Sequence, residues 1–149
     1  MTSTESNPPP DARAALQQFT SAGWVKFLGL EILGASGDGM TVRWTVTEDH
    51  WQPYGIVHGG VHCTVIETVA SLSGAAWFGD RGQVVGVSNQ TDFLRATRDG
   101  VLTAVSTPVH RGRLQQLWLV EIRDGDDRLV SRGQVRLQNL ASAEGLGRA

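Results

Sequence analysis

The chain has 149 residues, about one domain's worth, which argues against a two-domain enzyme or a long repeat array. With 40% hydrophobic residues, 19% charged residues and a formal net charge of -2, it suits a folded soluble protein and offers no broad electrostatic attraction for nucleic acid or an anionic membrane. No run approaches the roughly 18 apolar residues of a membrane span, the N-terminal stretch lacks the basic-then-apolar order of a secretory signal, and a cytoplasmic location is expected.

Residues 1–11 are polar and contain Pro8, Pro9 and Pro10, a composition that favours an extended, solvated tail. Over 12–20, Ala14, Ala15, Leu16 and Phe19 recur at near-helical spacing, which predicts a short amphipathic helix ending near Gly23. Met40, Val42, Trp44 and Val46 then alternate with Thr41, Arg43, Thr45 and Thr47, the period of a strand burying one face. The stretch 59–77 is different. Its Val61, Val65, Ile66, Val69, Leu72 and Ala76 leave little room for a wholly wet face, and its length predicts one core helix.

Four further strands are expected at 84–93, 101–109, 114–122 and 129–140, separated by Asp99-Gly100, Arg111-Gly112 and Asp124-Gly125. Such short glycine-containing turns join antiparallel neighbours, so this half reads as a meander. The expected fold is α+β, a curved antiparallel sheet wrapped around a central helix. Residues 12–140 form its single domain and 141–149 a C-terminal tail.

Glu67 is out of place on that greasy helix, because burying an ionised carboxylate without partners is strongly unfavourable. Gly60, Thr64, Glu67 and Ser71 recur at spacings of three or four and share a face, so the carboxylate belongs to a narrow polar stripe. That stripe opens on a cleft, on a subunit interface or on a solvated helix edge; in the first two cases Glu67 is a candidate base or nucleophile.

At the helix start stands His58-Gly59-Gly60, with five residues between it and Gln52. The glycines leave backbone N–H groups unshielded, and the positive end of the helix dipole favours developing negative charge, as an oxyanion site requires. Gly59 and Glu67 are eight residues apart, roughly 12 Å along a helix. One carbonyl cannot touch both. If the glycine amides polarise a carbonyl that the carboxylate attacks, the carboxylate must come from a second copy, which predicts an obligate dimer with composite sites.

The pattern Gln52-x5-His58-Gly59-Gly60-x6-Glu67-x3-Ser71 resembles the hotdog-fold acyl-CoA thioesterases, most of all the branch with phenylacetate-pathway thioesterases, the Glu-dependent 4-hydroxybenzoyl-CoA thioesterases and 1,4-dihydroxy-2-naphthoyl-CoA hydrolases. The likeness runs from about Phe27 to Leu140. It implies that Glu67 is nucleophile or general base, that the Gly59 amide polarises the thioester carbonyl, that Gln52 positions substrate or water, that His58 supports the helix start, and that Ser71 orients the water or the carboxylate. It also implies that two subunits join their sheets, often with two such dimers forming a tetramer. No cofactor or metal is expected, coenzyme A being part of the substrate.

The same resemblance places the pantetheine channel along 87–97, with Val87, Leu94, Arg95 and Ala96 beside it and Arg95 near phosphate. It places a second coenzyme-binding segment at His110, Arg111, Gly112 and Arg113, where guanidinium and backbone N–H groups suit phosphate oxygens. Trp51, next to Gln52, could flank an aromatic acyl group. Cys63, the single cysteine, cannot form an intrachain disulfide and has no activating partner beyond His62; it reads as a core residue. The leading expectation is hydrolysis of an aryl or medium-size acyl-CoA thioester; the same fold also serves acyl-thioester hydratases and non-catalytic acyl-CoA-binding domains.

Overall fold

Residues 18–142 are described by the computed structural model, in which six strands form one antiparallel sheet around a 20-residue helix. The elements are helix α1 (Gly23–Leu28), strands β1 (Glu31–Ser36) and β2 (Gly39–Thr45), helix α2 (Gly59–Phe78), and strands β3 (Gln83–Phe93), β4 (Val101–Arg111), β5 (Gln115–Arg123) and β6 (Leu129–Leu140). The expected tail at 1–11, most of the expected helix at 12–20 and nearly all of the C-terminal tail lie outside the described residues. Residues 18–20 are helical.

Helix α2 buries Val65, Ile66, Val69 and Ala70 completely. They meet the inward row of the sheet, where Val42, Trp44, Leu102, Ala104, Trp118, Val120, Ile122, Val135 and Leu137 are all 2% exposed or less. Burying each large apolar side chain contributes about 1.5–3 kcal/mol, and this interface is the core. Gly74 lets helix and sheet close up, since a Cβ there would overlap Leu137 Cδ1 and stand 2.9 Å from Gln116 Oε1. Among the described residues no helix is long and apolar enough to cross a membrane.

Periodicity located α2 and five of the six strands to within a residue or two. It missed α1 and β1, where Gly29 and Gly34 interrupt the pattern and β1 carries a register shift between Ile32 and Gly34.

The expected meander needs correction. The sheet order is β1-β2-β4-β5-β6-β3, so β4, β5 and β6 form a meander but β3 lies beyond β6, at the edge. The link at 94–100 therefore crosses between non-neighbours. It is fastened along the way: Leu94 and Arg95 both donate N–H groups to the Val130 carbonyl, and Val46 donates to that of Gly100. The inward faces explain the order, because Leu102 and Ala104 of β4 pair with Trp44 and Val42 of β2 in the fully buried layer.

Strand β3 also breaks alternation. Gly86 pairs with Leu137 and Ser88 with Arg136, which leaves Val87 as an extra, bulged residue. An unbroken period from Val84 and Gly86 would send Ser88, Gln90 and Asp92 toward α2. The bulge sends Asn89, Thr91 and Phe93 instead, opposite the buried Val135, Gly133 and Ser131.

Candidate active site

The N-terminus of α2 is built as the tripeptide suggested. His58 caps the helix, its Nδ1 accepting the Gly60 N–H at 2.8 Å, while its own N–H donates to the His50 carbonyl at 2.8 Å. The Gly59 N–H, at the first helical position, has no acceptor among the described residues, as expected for an orphan donor of a helix start. Gly59 could not carry a side chain without moving a neighbour, because a Cβ there would stand 2.7 Å from Phe93 Cζ. The ring of Phe93, 57% exposed, rests on the glycine.

Gln52 sits in the loop that leads to this start. Its N–H donates to the Ile56 carbonyl at 2.8 Å, its Oε1 accepts the Tyr54 N–H, and its Nε2 has no partner among the described residues. Arg98 braces the loop by donating to the carbonyls of Gly55 at 3.0 Å and Tyr54 at 3.2 Å. Gln52, His58, Gly59, Phe93, Leu94 and Arg95 line one cleft of about 500 Å³, which Ala96 also borders. Trp51 is absent from that lining. Its indole N–H donates to the Arg98 carbonyl at 2.7 Å, which makes it part of the loop scaffold.

Glu67 lies two turns further along α2, half-buried and turned toward β3. Its Oε1 rests against Gly86, where any Cβ would overlap it, and its Oε2 accepts from Asn89 Nδ2 at 3.2 Å. Thr64 and Ser71 flank it on the same open face; Thr64 Oγ1 donates to the Gly60 carbonyl at 2.8 Å and accepts the Trp24 indole N–H at 3.0 Å. Trp24 stacks on Phe27 with ring centroids 5.1 Å apart, and both rings are about half exposed. Cys63 is half-buried on the β3 flank of the helix and is not a core residue; its carbonyl accepts from Asn89 at 3.0 Å.

His62 lines the same cleft from the buried side, 4% exposed, with Ser131 Oγ 3.2 Å from its Nδ1. Burial pushes its pKa down to about 4, so the ring is neutral near pH 7. His50 is also lowered by burial, which outweighs the raising effect of Asp49, and its Nδ1 accepts the Thr47 N–H at 3.1 Å.

The expected coenzyme residues fall in separate places within one protomer. Leu94, Arg95 and Ala96 border the cleft, whereas Val87 is exposed on the bulge and absent from its lining. His110, Gly112 and Arg113 border a second hollow of about 520 Å³ with Leu114, Gln115 and Gln138. Arg111 turns inward instead, because a second bulge between Pro108 and His110 puts it opposite the buried Gln116. There it donates to the Gly37 carbonyl and pairs with Asp38 at 2.9 Å. Sequence reasoning missed Gly86, Asn89 and Arg98. Only the glycine stood out by residue type, and nothing in sequence tied it to Glu67.

The family model described as the Thioesterase superfamily matches residues 54–131. Among solved structures, S. sahachiroi AziG is similar at 52% identity with a TM-score of 0.78, covering 80% of this chain and 97% of that one. Thioesterase HI1161 from Haemophilus influenzae is 33% identical with a TM-score of 0.78, covering 83% and 86% respectively. The chain is also 29% identical over 115 residues to 1,4-dihydroxy-2-naphthoyl-CoA hydrolase of Escherichia coli strain K12, covering 77% of this chain and 85% of that protein.

Proposed function

This chain belongs to the thioesterase superfamily, and from that premise we propose that it hydrolyses aryl or medium-size acyl-CoA thioesters at a site shared by two copies of itself. The fold is the hotdog fold and the protein is an enzyme that hydrolyses thioesters. The branch we favour is the Glu-dependent one, because its Gln, His-Gly, Glu and Ser positions are all filled here by Gln52, His58-Gly59, Glu67 and Ser71.

In this reading Glu67 delivers the attack on the thioester carbonyl, with its own oxygen or by taking a proton from water. A C–O bond forms, the carbonyl oxygen becomes negative, and the Gly59 N–H of the other subunit stabilises it. Collapse breaks the C–S bond and coenzyme A departs as a thiolate that takes up a proton; the acid forms at once where water was the attacking group, and after water hydrolyses the acyl–Glu67 anhydride where the carboxylate oxygen was. Gln52, whose Nε2 has no partner among the described residues and which lines the same cleft as Gly59, positions the carbonyl or the water. Arg95 at the cleft, with His110 and Arg113 at the other hollow, suits the coenzyme phosphates. The Asp38 pair on Arg111 leaves that guanidinium the least available of the group.

The single observation behind the shared site is that Gly59 and Glu67 lie on one helix, roughly 12 Å apart along its axis, with Glu67 turned to the edge strand β3. The outer edge of β3 has no partner strand among the described residues, a ready template for pairing with a second copy. Pairing there continues the sheet and brings a second α2 alongside the first; a dimer is the assembly this reading requires.

The test is to incubate wild type and Glu67→Gln with a panel of acyl-CoA thioesters and a thiol reagent. Thiol release by wild type, lowered by at least about 10²-fold in the variant, is expected. A variant at full rate would remove Glu67 from its role; loss of enoyl absorbance without thiol release would replace hydrolysis by hydration.

A further inference from the structure

We propose that Asn89 is a positioning residue for the Glu67 carboxylate, backed by Thr91, an assignment that rests on the reading of Glu67 as the attacking group. The side-chain amide of Asn89 is committed at both ends. Its Nδ2 donates to the Cys63 carbonyl at 3.0 Å and to Glu67 Oε2 at 3.2 Å, and its Oδ1 accepts from Thr91 Oγ1 at 2.7 Å. Turning the amide over would face its oxygen toward a carbonyl and a carboxylate, two acceptors, so the orientation is set by its partners.

The backbone supplies the rest. Oε1 of Glu67 lies over the bare Cα of Gly86 while Oε2 meets Asn89, so the carboxylate is held between an absent side chain and a present one on the same strand. This pairing exists because of the Val87 bulge, which turns Asn89 and Thr91 to the helix side of β3. The Cys63 carbonyl, one turn before Glu67 on α2, ties the same amide to the helix backbone; a shift of the strand along the helix would break both bonds together.

A merely structural tether between β3 and α2 would contain the same bonds, and the distinction lies in chemistry. A tether acts on stability, whereas a donor that orients the attacking oxygen acts on kcat with KM nearly unchanged. No ion pair reaches Glu67 among the described residues, so the Asn89 amide is what fixes its carboxylate there. The split between kcat and KM therefore reports on Asn89.

The experiment measures kcat, KM and melting temperature for wild type, Glu67→Gln, Asn89→Ala, Asn89→Asp, Thr91→Val and Thr91→Ser, with acyl-CoA as substrate. For Asn89→Ala we expect kcat to fall about tenfold or more with KM nearly unchanged. Asn89→Asp, which sets oxygens against the Cys63 carbonyl and Glu67 in place of the donor, lowers kcat further. Thr91→Val lowers kcat by less, and Thr91→Ser, which keeps the hydroxyl, stays near wild type. Asn89 variants with wild-type kcat, beside an inactive Glu67→Gln, would overturn the inference alone; loss of melting temperature with kcat unchanged would do so too. A fully active Glu67→Gln would overturn the reading beneath it.

Discussion

At the scale of single residues, His62 shows how burial turns a side chain into a pH-dependent stability element. Its pKa is near 4 in the folded protein, well below the ordinary histidine value of 6.5, so the unfolded chain takes up a proton first as the pH falls. Its contribution is complete above about pH 6.5 and is lost progressively toward pH 4, amounting to about 3 kcal/mol. His50 acts in the same direction, since burial disfavours its charged form and outweighs the raising effect of Asp49. We expect the melting temperature to fall between pH 7 and pH 4.5, and His62→Gln, which keeps a hydrogen-bonding group for Ser131, to flatten that fall. An equally steep fall in the variant would assign the pH dependence elsewhere.

At the scale of elements, the fit of α2 to the sheet depends on where a side chain is missing. Gly74 costs the helix about 1 kcal/mol of propensity relative to alanine, so intrinsic preference predicts that Gly74→Ala stabilises. Packing predicts the reverse, because the new methyl group would overlap Leu137 Cδ1 and crowd Gln116, whose side-chain amide bonds Asn139 at 2.7 Å and accepts the Trp118 indole N–H at 2.8 Å. Overpacking such a site costs about 1–3 kcal/mol, and we expect net destabilisation in chemical denaturation. Strand β3 carries the same lesson for reading a sequence. Its hydrophobic pattern located it, but the Val87 bulge reversed which residues face the helix, and a one-residue irregularity of this kind leaves no mark in composition.

At the scale of the whole molecule, a shared site makes activity a property of the pair. Gly59→Val and Glu67→Gln should each be inactive alone, the first because its side chain meets Phe93 at the cleft and crowds the carbonyl-binding amide. Co-expressed in equal amounts, they should regain about a quarter of wild-type activity, since about half the dimers are mixed and each mixed dimer holds one intact site of two. No recovery in a preparation shown to contain mixed dimers would place Gly59 and Glu67 in one subunit's site. A monomer active in the same sizing fraction would exclude the shared site altogether.

Much of this protein was legible in the order of its residues. The periods of two and of 3.6 are local, so they identified the central helix and five strands, and the misplacement of one carboxylate on an apolar helix singled out Glu67 together with the glycine-rich start before it. Eight residues on one helix are a fixed length, so the need for a second chain could be argued before any fold was seen. Tertiary structure alone decided that β3 closes against β6 at the sheet edge, that Asn89 and Gly86 grip Glu67, and that Asp38 holds Arg111. These are contacts between residues some 20 to 70 positions apart, chosen by how bulges and buried faces fit in three dimensions, and no local period encodes them.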